Sequence, residues 1–329
     1  MEPFEYAIPP GSLVLVTGAN GYIASHIVNE LLELGFKVRG TVREEKPWLD
    51  RFFEEKYGKG RFESIVVRAM EDDKAFALAA AGASGVIHVA SDGSFANEPD
   101  RVIPTVKNGT IHALQAASQS SVKRFVLTSS SVAAIIPETN KKGITIDEST
   151  WNDAVIELAW SGMAPENAKG YIVYSASKTE GERTAWDWVK ENKPSFTLNT
   201  ILPNCNAIWS PFSTPAYARL NDGLRILPPQ YFVDVRDTAR LHVAALLDPK
   251  IKEERIFAFA QEYNWTDVLD ILRKLRPNRQ FPLNPENEGR DYTQVAPRDK
   301  AKKILQDFFG QPDWVSLEES LAAGIEDLQ

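Results

Sequence analysis

The chain has 329 residues, of which 43% are hydrophobic and 25% charged, with a formal net charge of −8. That length and apolar share suffice for one large α/β domain, or for a nucleotide domain with a smaller lobe. The acidic balance argues against nucleic acid as the main partner, and the single cysteine, Cys205, excludes an intrachain disulfide. Met1–Pro10 carries acids and prolines where a signal peptide would be basic and then apolar, and there is no apolar stretch of about 18 residues. The expectation is a cytoplasmic protein without a membrane or nucleic-acid partner, monomeric or homodimeric.

Leu13–Val16 is an unbroken apolar run, the pattern of a strand buried on both faces. Ile23, Ile27, Leu31 and Leu34 then recur at helical spacing, which predicts a helix over Tyr22–Leu34 closed by Gly35. Strands follow at Lys37–Val42, Glu63–Val67 and Gly85–Val89, with a helix at Asp73–Ala80. A helix over Val102–Gln119 leads into a strand at Arg124–Leu127. This alternation predicts an α/β fold, a Rossmann-type doubly wound parallel sheet covered by helices.

From Ile135 to Gly170 the rhythm breaks. Pro137, Gly143, Pro165 and polar clusters mark a long insertion over about 135–170, with a short helix near Val155–Trp160. Connections of that length are usually functional. The pattern resumes with a helix over Tyr171–Glu191 and a strand over Thr197–Leu202. Further on, a helix is expected at Val235–Leu247, a strand at Arg255–Phe259, and helices near Thr266–Leu275 and Arg298–Phe308. The chain is expected to divide into a dinucleotide-binding domain over 1–202 and a mostly substrate-binding, smaller C-terminal lobe over 203–329, interleaved with the first.

Thr17-Gly18-Ala19-Asn20-Gly21-Tyr22-Ile23-Ala24 stands where the first strand turns into a helix. Gly18 can take backbone angles closed to other residues, Gly21 lets the chain approach a pyrophosphate, and Ala24 lets helix and strand pack closely. The helix start then offers free N–H groups and the positive end of its dipole to phosphate. The spacing G-x-x-G-x-x-A is a variant of the dinucleotide fingerprint; a tight turn without a ligand is the bland alternative. The second strand, Val38-Arg39-Gly40-Thr41-Val42-Arg43, ends without the acid that NAD sites use to hold the ribose 2′-OH. Arg39 and Arg43 flank it on one face, and a guanidinium can pair with a 2′-phosphate. Arg43, at the strand tip, is the first choice. A solvated surface arginine is the alternative, more so for Arg39.

Tyr174 and Lys178 form Tyr-x-x-x-Lys on a predicted helix, so phenol and ammonium share a face. A free tyrosine titrates near pH 10, and a nearby cation lowers that value. Thr128-Ser129-Ser130 follows a strand at the carboxyl end of the sheet, where α/β folds bind ligands. A serine hydroxyl there can hydrogen-bond a carbonyl oxygen; a serine-rich turn is the other reading.

Together, "GSLVLVTGANGYIASH", "KVRGTVR", "GVIHVAS", "SVKRFVLTSSS", "VYSASKTEGE", "NKPSFTLNTILPN" and "PPQYFVDVRDTARLH" resemble the extended short-chain dehydrogenase/reductase superfamily, from about Gly11 to the C-terminal helices. Within it the chain is similar to the fungal aldehyde reductase (carbonyl reductase) group, relatives of the dihydroflavonol reductases. The resemblance implies Ser130, Tyr174 and Lys178 as catalytic residues and NADP(H) as cofactor. It implies hydride transfer to the carbonyl of a small-molecule substrate, with Tyr174 as proton donor. The cofactor-facing set it implies is Thr17, Gly18, Asn20, Gly21, Tyr22, Ile23, Arg39, Arg43, Met70, Val89, Ala90, Ser91 and Thr128, with Tyr174, Lys178, Pro203 and Asn204. Ala24 stands where the family usually has a third glycine. Cys205 lies close to where the family's backbone meets the nicotinamide carboxamide, although a buried inert thiol is the plainer reading.

Phe95, Tyr171, Trp209, Phe212, Leu227 and Gln230 are expected as substrate-pocket walls, with ordinary core packing as the alternative. Aromatic walls suit aryl ketones, aldehydes or keto esters. His26, His88, His112 and His242 are scattered without metal-ligand spacing, so no metal is expected. Two rivals share the scaffold: a nucleotide-sugar epimerase or dehydratase, which would want the missing acid, and a non-catalytic NADP-binding regulator, which would not need the Tyr–Lys pair.

Overall fold

The computed structural model describes residues 5–206 and 227–326. The chain begins with β1 (Leu13–Val16), α1 (Tyr22–Glu33), β2 (Lys37–Val42), α2 (Pro47–Tyr57), β3 (Phe62–Val66), α3 (Asp73–Ala80), β4 (Gly85–His88), α4 (Pro99–Ser118) and β5 (Arg124–Thr128). It continues through β6 (Thr145–Ile146), α5 (Asp153–Trp160), α6 (Lys169–Asn192) and β7 (Thr197–Pro203). The last third holds β8 (Gln230–Phe232), α7 (Val235–Leu247), β9 (Arg255–Ala258), β10 (Gln261–Tyr263), α8 (Trp265–Leu275), β11 (Gln294–Val295), α9 (Arg298–Phe309) and α10 (Leu317–Gly324).

Seven parallel strands form the expected doubly wound sheet, in the order β3-β2-β1-β4-β5-β7-β9. Strand order reverses between β1 and β4, which opens a crevice at their carboxyl ends. Alternation along each strand sorts side chains between two cores. Val14, Val16, Ile87, Val126 and Ile201 meet α1 and α7, while Leu15, Val86, Phe125, Leu127 and Leu198 meet α3, α4 and α6. The central strand β1 is apolar on both faces because both are covered.

Arg124 locks the end of α7 to the start of β5. Its buried guanidinium donates to the carbonyls of Leu246 (3.1 Å), Ala245 (2.8 Å) and Asp248 (2.9 Å), and to that of Ile251. Ala245 and Leu246 supply orphan acceptors of the helix C-terminus, where a cation is also favoured by the dipole.

The C-terminal lobe is smaller than a cut at residue 203 would make it. β9, α7 and α9 belong to the sheet and its helical cover. The separate core is Phe232, Tyr263, Trp265, Val268, Leu269, Leu272, Leu317, Leu321 and Ile325, built on the antiparallel β8–β10 pair, α8 and α10. The insertion is tied down by the parallel β6–β11 pair, whose Ile146 and Val295 pack with Leu202, Tyr231, Phe257 and Phe259. No helix among the described residues is long and apolar enough to cross a membrane.

The sequence reading left α2 and α10 unassigned. α2 buries only Leu49 and Phe53 and leaves Trp48 and Phe52 exposed, so its apolar stripe is broken by its own surface aromatics. α4 begins at Pro99, three residues before the apolar stripe, because proline is favoured in a first turn.

Candidate active site

The turn after β1 is assembled by hydroxyl groups. Thr17 is buried, and its Oγ1 accepts the N–H groups of Val89 (2.9 Å) and Ala90 (3.0 Å), tying the ends of β1 and β4 together. Thr41 on β2 holds the next residues: its Oγ1 accepts Gly18 N–H at 2.9 Å and its carbonyl accepts Ala19 N–H at 2.9 Å. Gly18 sits at φ +68°, and a Cβ there would lie 3.5 Å from Ala90. A side chain would be strained and would fill the crevice. Gly21 caps α1 without a side-chain hydrogen bond, so the first N–H groups of the helix remain free donors. This uncapped, glycine-lined helix start fits a diphosphate. The Tyr22 ring packs edge-on against His26 and lies near Asp234, and burial followed by that charge pushes its phenol up to about 12. Asn20 is exposed and Ile23 half-buried beside the first core.

The two arginines part company. Arg39 donates to Glu63 Oε1 at 2.7 Å and to the carbonyls of Ala79 (3.0 Å) and Ala81 (2.8 Å), at the C-terminus of α3. Its guanidinium is committed to the fold. Arg43 is exposed and makes no hydrogen bond or close ion pair among the described residues. Nearby Asp92 went unnoticed in the sequence. Burial would raise its carboxyl, but hydrogen bonds from Ser94 and the charges of Arg101 and Arg43 hold it below the usual range.

At the end of β5, Thr128 turns its hydroxyl away to His242 Nε2 at 2.8 Å, while its carbonyl accepts from Lys178 Nζ at 3.3 Å. Ser130 stands in extended backbone at the start of a 3-10 turn, where its Oγ accepts Val132 N–H at 3.5 Å. Tyr174 and Lys178 face this turn from α6. Burial raises the Tyr174 phenol above its usual range, and hydrogen bonding with Ser130 pulls the other way. Burial lowers the Lys178 ammonium to about 8, opposed by the charge of Glu182.

Glu182 is the residue that sequence reasoning missed. It lies one further turn along α6, with its side chain fully buried. Its Oε2 accepts from Ser129 Oγ at 2.8 Å and its Oε1 from Thr200 Oγ1 at 2.7 Å. Arg255 on β9 pairs with both oxygens, Nε at 2.8 Å and Nη2 at 3.2 Å. Arg255 Nη1 also donates to the carbonyls of Glu148 (2.7 Å) and Thr150 (2.9 Å), and the Trp151 ring covers the guanidinium at 3.9 Å. The long insertion is thereby anchored to the helix that carries Tyr174. The available signal was Lys178 and Glu182 four residues apart, which places them on one face.

Phe95 lies over the phenol, its ring centroid 4.6 Å from that of Tyr174 at an interplanar angle of 32°. It is half exposed and sits at φ 53°. Its carbonyl presses so closely on Gly170 that any Cβ there would collide with it. Tyr171, Cys205, Gln230 and Tyr263 neighbour one another on the lobe side; burial pushes the Tyr171 and Tyr263 phenols up. Gln230 is buried, with Nε2 donating to the Pro228 carbonyl at 3.4 Å. Leu227 packs instead toward the lobe core and accepts Trp265 Nε1 on its carbonyl at 2.9 Å. Met70 is wedged against Gly109 on α4, and its carbonyl contacts His112 Nδ1 at 3.1 Å. Val89, Ala90 and Ser91 are half-buried beyond β4, and Pro203 and Asn204 are buried at the end of β7. Trp209 and Phe212 lie outside the described residues.

Residues 14–259 match the NAD dependent epimerase/dehydratase family. The ketoreductase adrE of Penicillium rubens is 43% identical, with 98% of each chain covered. Aldehyde reductase 2 of Sporidiobolus salmonicolor is 42% identical over 95% of each. A reductase whose structure was solved for asymmetric catalysis superposes with a TM-score of 0.78 at 28% identity, covering 96% of this chain and 99% of its own. A match over most of the chain, and relatives of this identity along nearly its whole length, mean that the chain belongs to the NAD dependent epimerase/dehydratase family.

Proposed function

We propose that this chain is an NADPH-dependent carbonyl reductase that converts an aldehyde or ketone to an alcohol. The observation that carries the reading is the convergence of Ser130, Tyr174 and Lys178 where β5 and α6 meet, with Lys178 Nζ 3.3 Å from the Thr128 carbonyl and the Phe95 ring 4.6 Å from the phenol. Relatives named ketoreductase and aldehyde reductase, 43% and 42% identical, support it.

The turn from Thr17 to Ile23 would hold the cofactor diphosphate, and Arg43 its 2′-phosphate. Tyr174 and Lys178 would meet the nicotinamide ribose, with Pro203 and Asn204 beside the carboxamide. When bound, the cofactor supplies the hydride. Tyr174, kept protonated by burial, donates its proton to the carbonyl oxygen as charge builds there. The Ser130 hydroxyl donates a second hydrogen bond to that oxygen. The Lys178 ammonium stabilises the phenolate left behind. Glu182, held by Arg255, Ser129 and Thr200, keeps a fixed negative charge behind the lysine. Phe95, Tyr171 and Gln230 shape the carbonyl pocket. Such walls favour aryl ketones, aldehydes or keto esters.

The test is NADPH oxidation measured against a panel of aldehydes and ketones, with NADH in parallel. Turnover of carbonyls that is lost in Tyr174→Phe supports the reading. No turnover across the panel, or a Tyr174→Phe variant as fast as wild type, overturns it. An epimerase or dehydratase reading has less support, because β2 ends without the acid such sites use and Arg43 stands there instead.

A further inference from the structure

Lys178 borders a second small space. It is walled by His88 at the end of β4 and Ser91 beyond it, Thr110 on α4, Ser129 after β5, and Lys178 and Glu182 on α6. About 10 Å³ is open to the centre of a water, room for one molecule.

The hydrogen bonds around Thr17 fix the protonation of His88. A threonine oxygen has two lone pairs and one proton. Val89 and Ala90 donate into both lone pairs, at 2.9 and 3.0 Å. The hydroxyl proton is left for His88 Nδ1, 3.0 Å away, so Nδ1 is the acceptor. Burial, and then the Lys178 charge, push the imidazole down to about 3, so the ring is neutral. A neutral ring that accepts at Nδ1 carries its proton on Nε2. That Nε2 is buried and has no acceptor within hydrogen-bond distance among the described residues, and the same holds for Ser91 Oγ. Both residues line the space. Lys178 Nζ has three protons and commits one to the Thr128 carbonyl.

We infer that this space is an internal water site, in which one water accepts from His88 Nε2–H and from the Lys178 ammonium and donates to Ser91, and that His88 is thereby a positioning residue for Lys178. Three bonds are typical of a buried water. The arrangement links the cofactor turn to the catalytic lysine through a single ring: Thr17 sets the tautomer, the tautomer holds the water, and the water holds the ammonium. The other charged or titratable groups around Lys178 are Tyr174 and Glu182 on its own helix and Arg255 behind Glu182. None of them replaces the lone pair that the water offers.

The proposal rests on the reductase reading for its kinetic arm but not for its spectroscopic one. In ligand-free protein labelled with ¹⁵N-histidine, long-range correlation spectra are expected to show His88 unprotonated at Nδ1 and protonated at Nε2. Its Nε2–H should cross-relax with a bound water. An Nδ1–H tautomer, or an Nε2–H without a bound water, overturns the inference whether or not the enzyme turns over. In the kinetic arm, His88→Phe should move the basic limb of kcat/KM to lower pH by about one unit, the worth of one lost hydrogen bond to a charged group. His88→Gln, whose amide N–H reaches the same place, should restore at least half of that shift. A wild-type limb in both variants overturns the positioning role, and the spectra decide the water site if His88→Phe does not fold. Absence of carbonyl turnover in wild type would sink the reductase reading and leave the spectroscopic result standing.

Discussion

Arg255→Met is the sharpest perturbation of the network behind the site. It leaves the Glu182 carboxylate buried, with its side chain at 0% exposure and still accepting from Ser129 and Thr200, but without its cation. Removing one partner of a buried pair typically costs about 3–5 kcal/mol, because the remaining charge is uncompensated. The variant also frees the carbonyls of Glu148 and Thr150 and the Trp151 ring, so the insertion loses its anchor on β9. Against a total stability of about 5–15 kcal/mol, the loss is large enough to read by urea or thermal unfolding. At about 2 °C per kcal/mol for a chain of this size, Tm should fall by roughly 6–10 °C. A second readout separates charge from packing. With its guanidinium gone, Glu182 turns its charge on Lys178 alone, which favours the ammonium. The basic limb of kcat/KM, expected near the Lys178 value of about 8, should therefore move upward in the surviving folded enzyme. A stability loss under 1 kcal/mol with an unmoved limb would refute the reasoning, because both the buried pair and its coupling to the lysine would then be immaterial.

Tyr174→Phe should lower turnover by about 10²–10⁴-fold and leave NADPH affinity nearly intact, as read by steady-state kinetics and direct binding. Arg43→Ala should raise the KM for NADPH about tenfold or more and leave NADH use unchanged, whereas Arg39→Ala should lower stability without changing cofactor preference; equal loss with both cofactors in Arg43→Ala would remove its role. Burial pushes the Asp237 carboxyl up to about 6, well above the usual carboxylate range, against hydrogen bonds from Gln311 and Val315. The native state therefore binds a proton that the unfolded state has lost, so this group makes stability fall as pH rises from about 4 to about 6. Asp237→Asn should flatten that slope in urea titrations across the window, and an unchanged slope would assign it elsewhere.

Much of the sheet was legible because strands covered on both faces write themselves as apolar runs. β2, α3 and α7 have the boundaries the periodicity predicts. The lobe and the insertion were less legible because their strands are two or three residues long and pair across large sequence distances, as β6 does with β11. A strand of two residues leaves no period to read. The site divides in the same way. Tyr174 and Lys178 could be read from spacing within one helix. Glu182 shows the same spacing, but its meaning depends on Arg255, 73 residues away on strand β9.

The two arginines of β2 mark where periodicity stops being informative. Alternation puts residues 39 and 43 on one face, and both have the right charge for a 2′-phosphate. What separates them is what each side chain finds opposite. Arg39 is paired in register with Glu63 on β3 and reaches the last carbonyls of α3, so the edge of the sheet uses its guanidinium to close a helix end. Arg43 lies one residue beyond the strand, where no described residue claims it. The same logic governs the threonines at strand ends. Thr17 and Thr128 each give a hydroxyl to a buried histidine, so the side chains that sequence motifs place beside the cofactor are turned into the protein. Their backbone serves the site instead: the Thr128 carbonyl receives the lysine, and the glycine after Thr17 opens the turn. At this edge of the sheet, the threonine side chains fix the frame and leave main-chain groups to hold the lysine and shape the turn, a division of labour that a list of motif residues does not reveal.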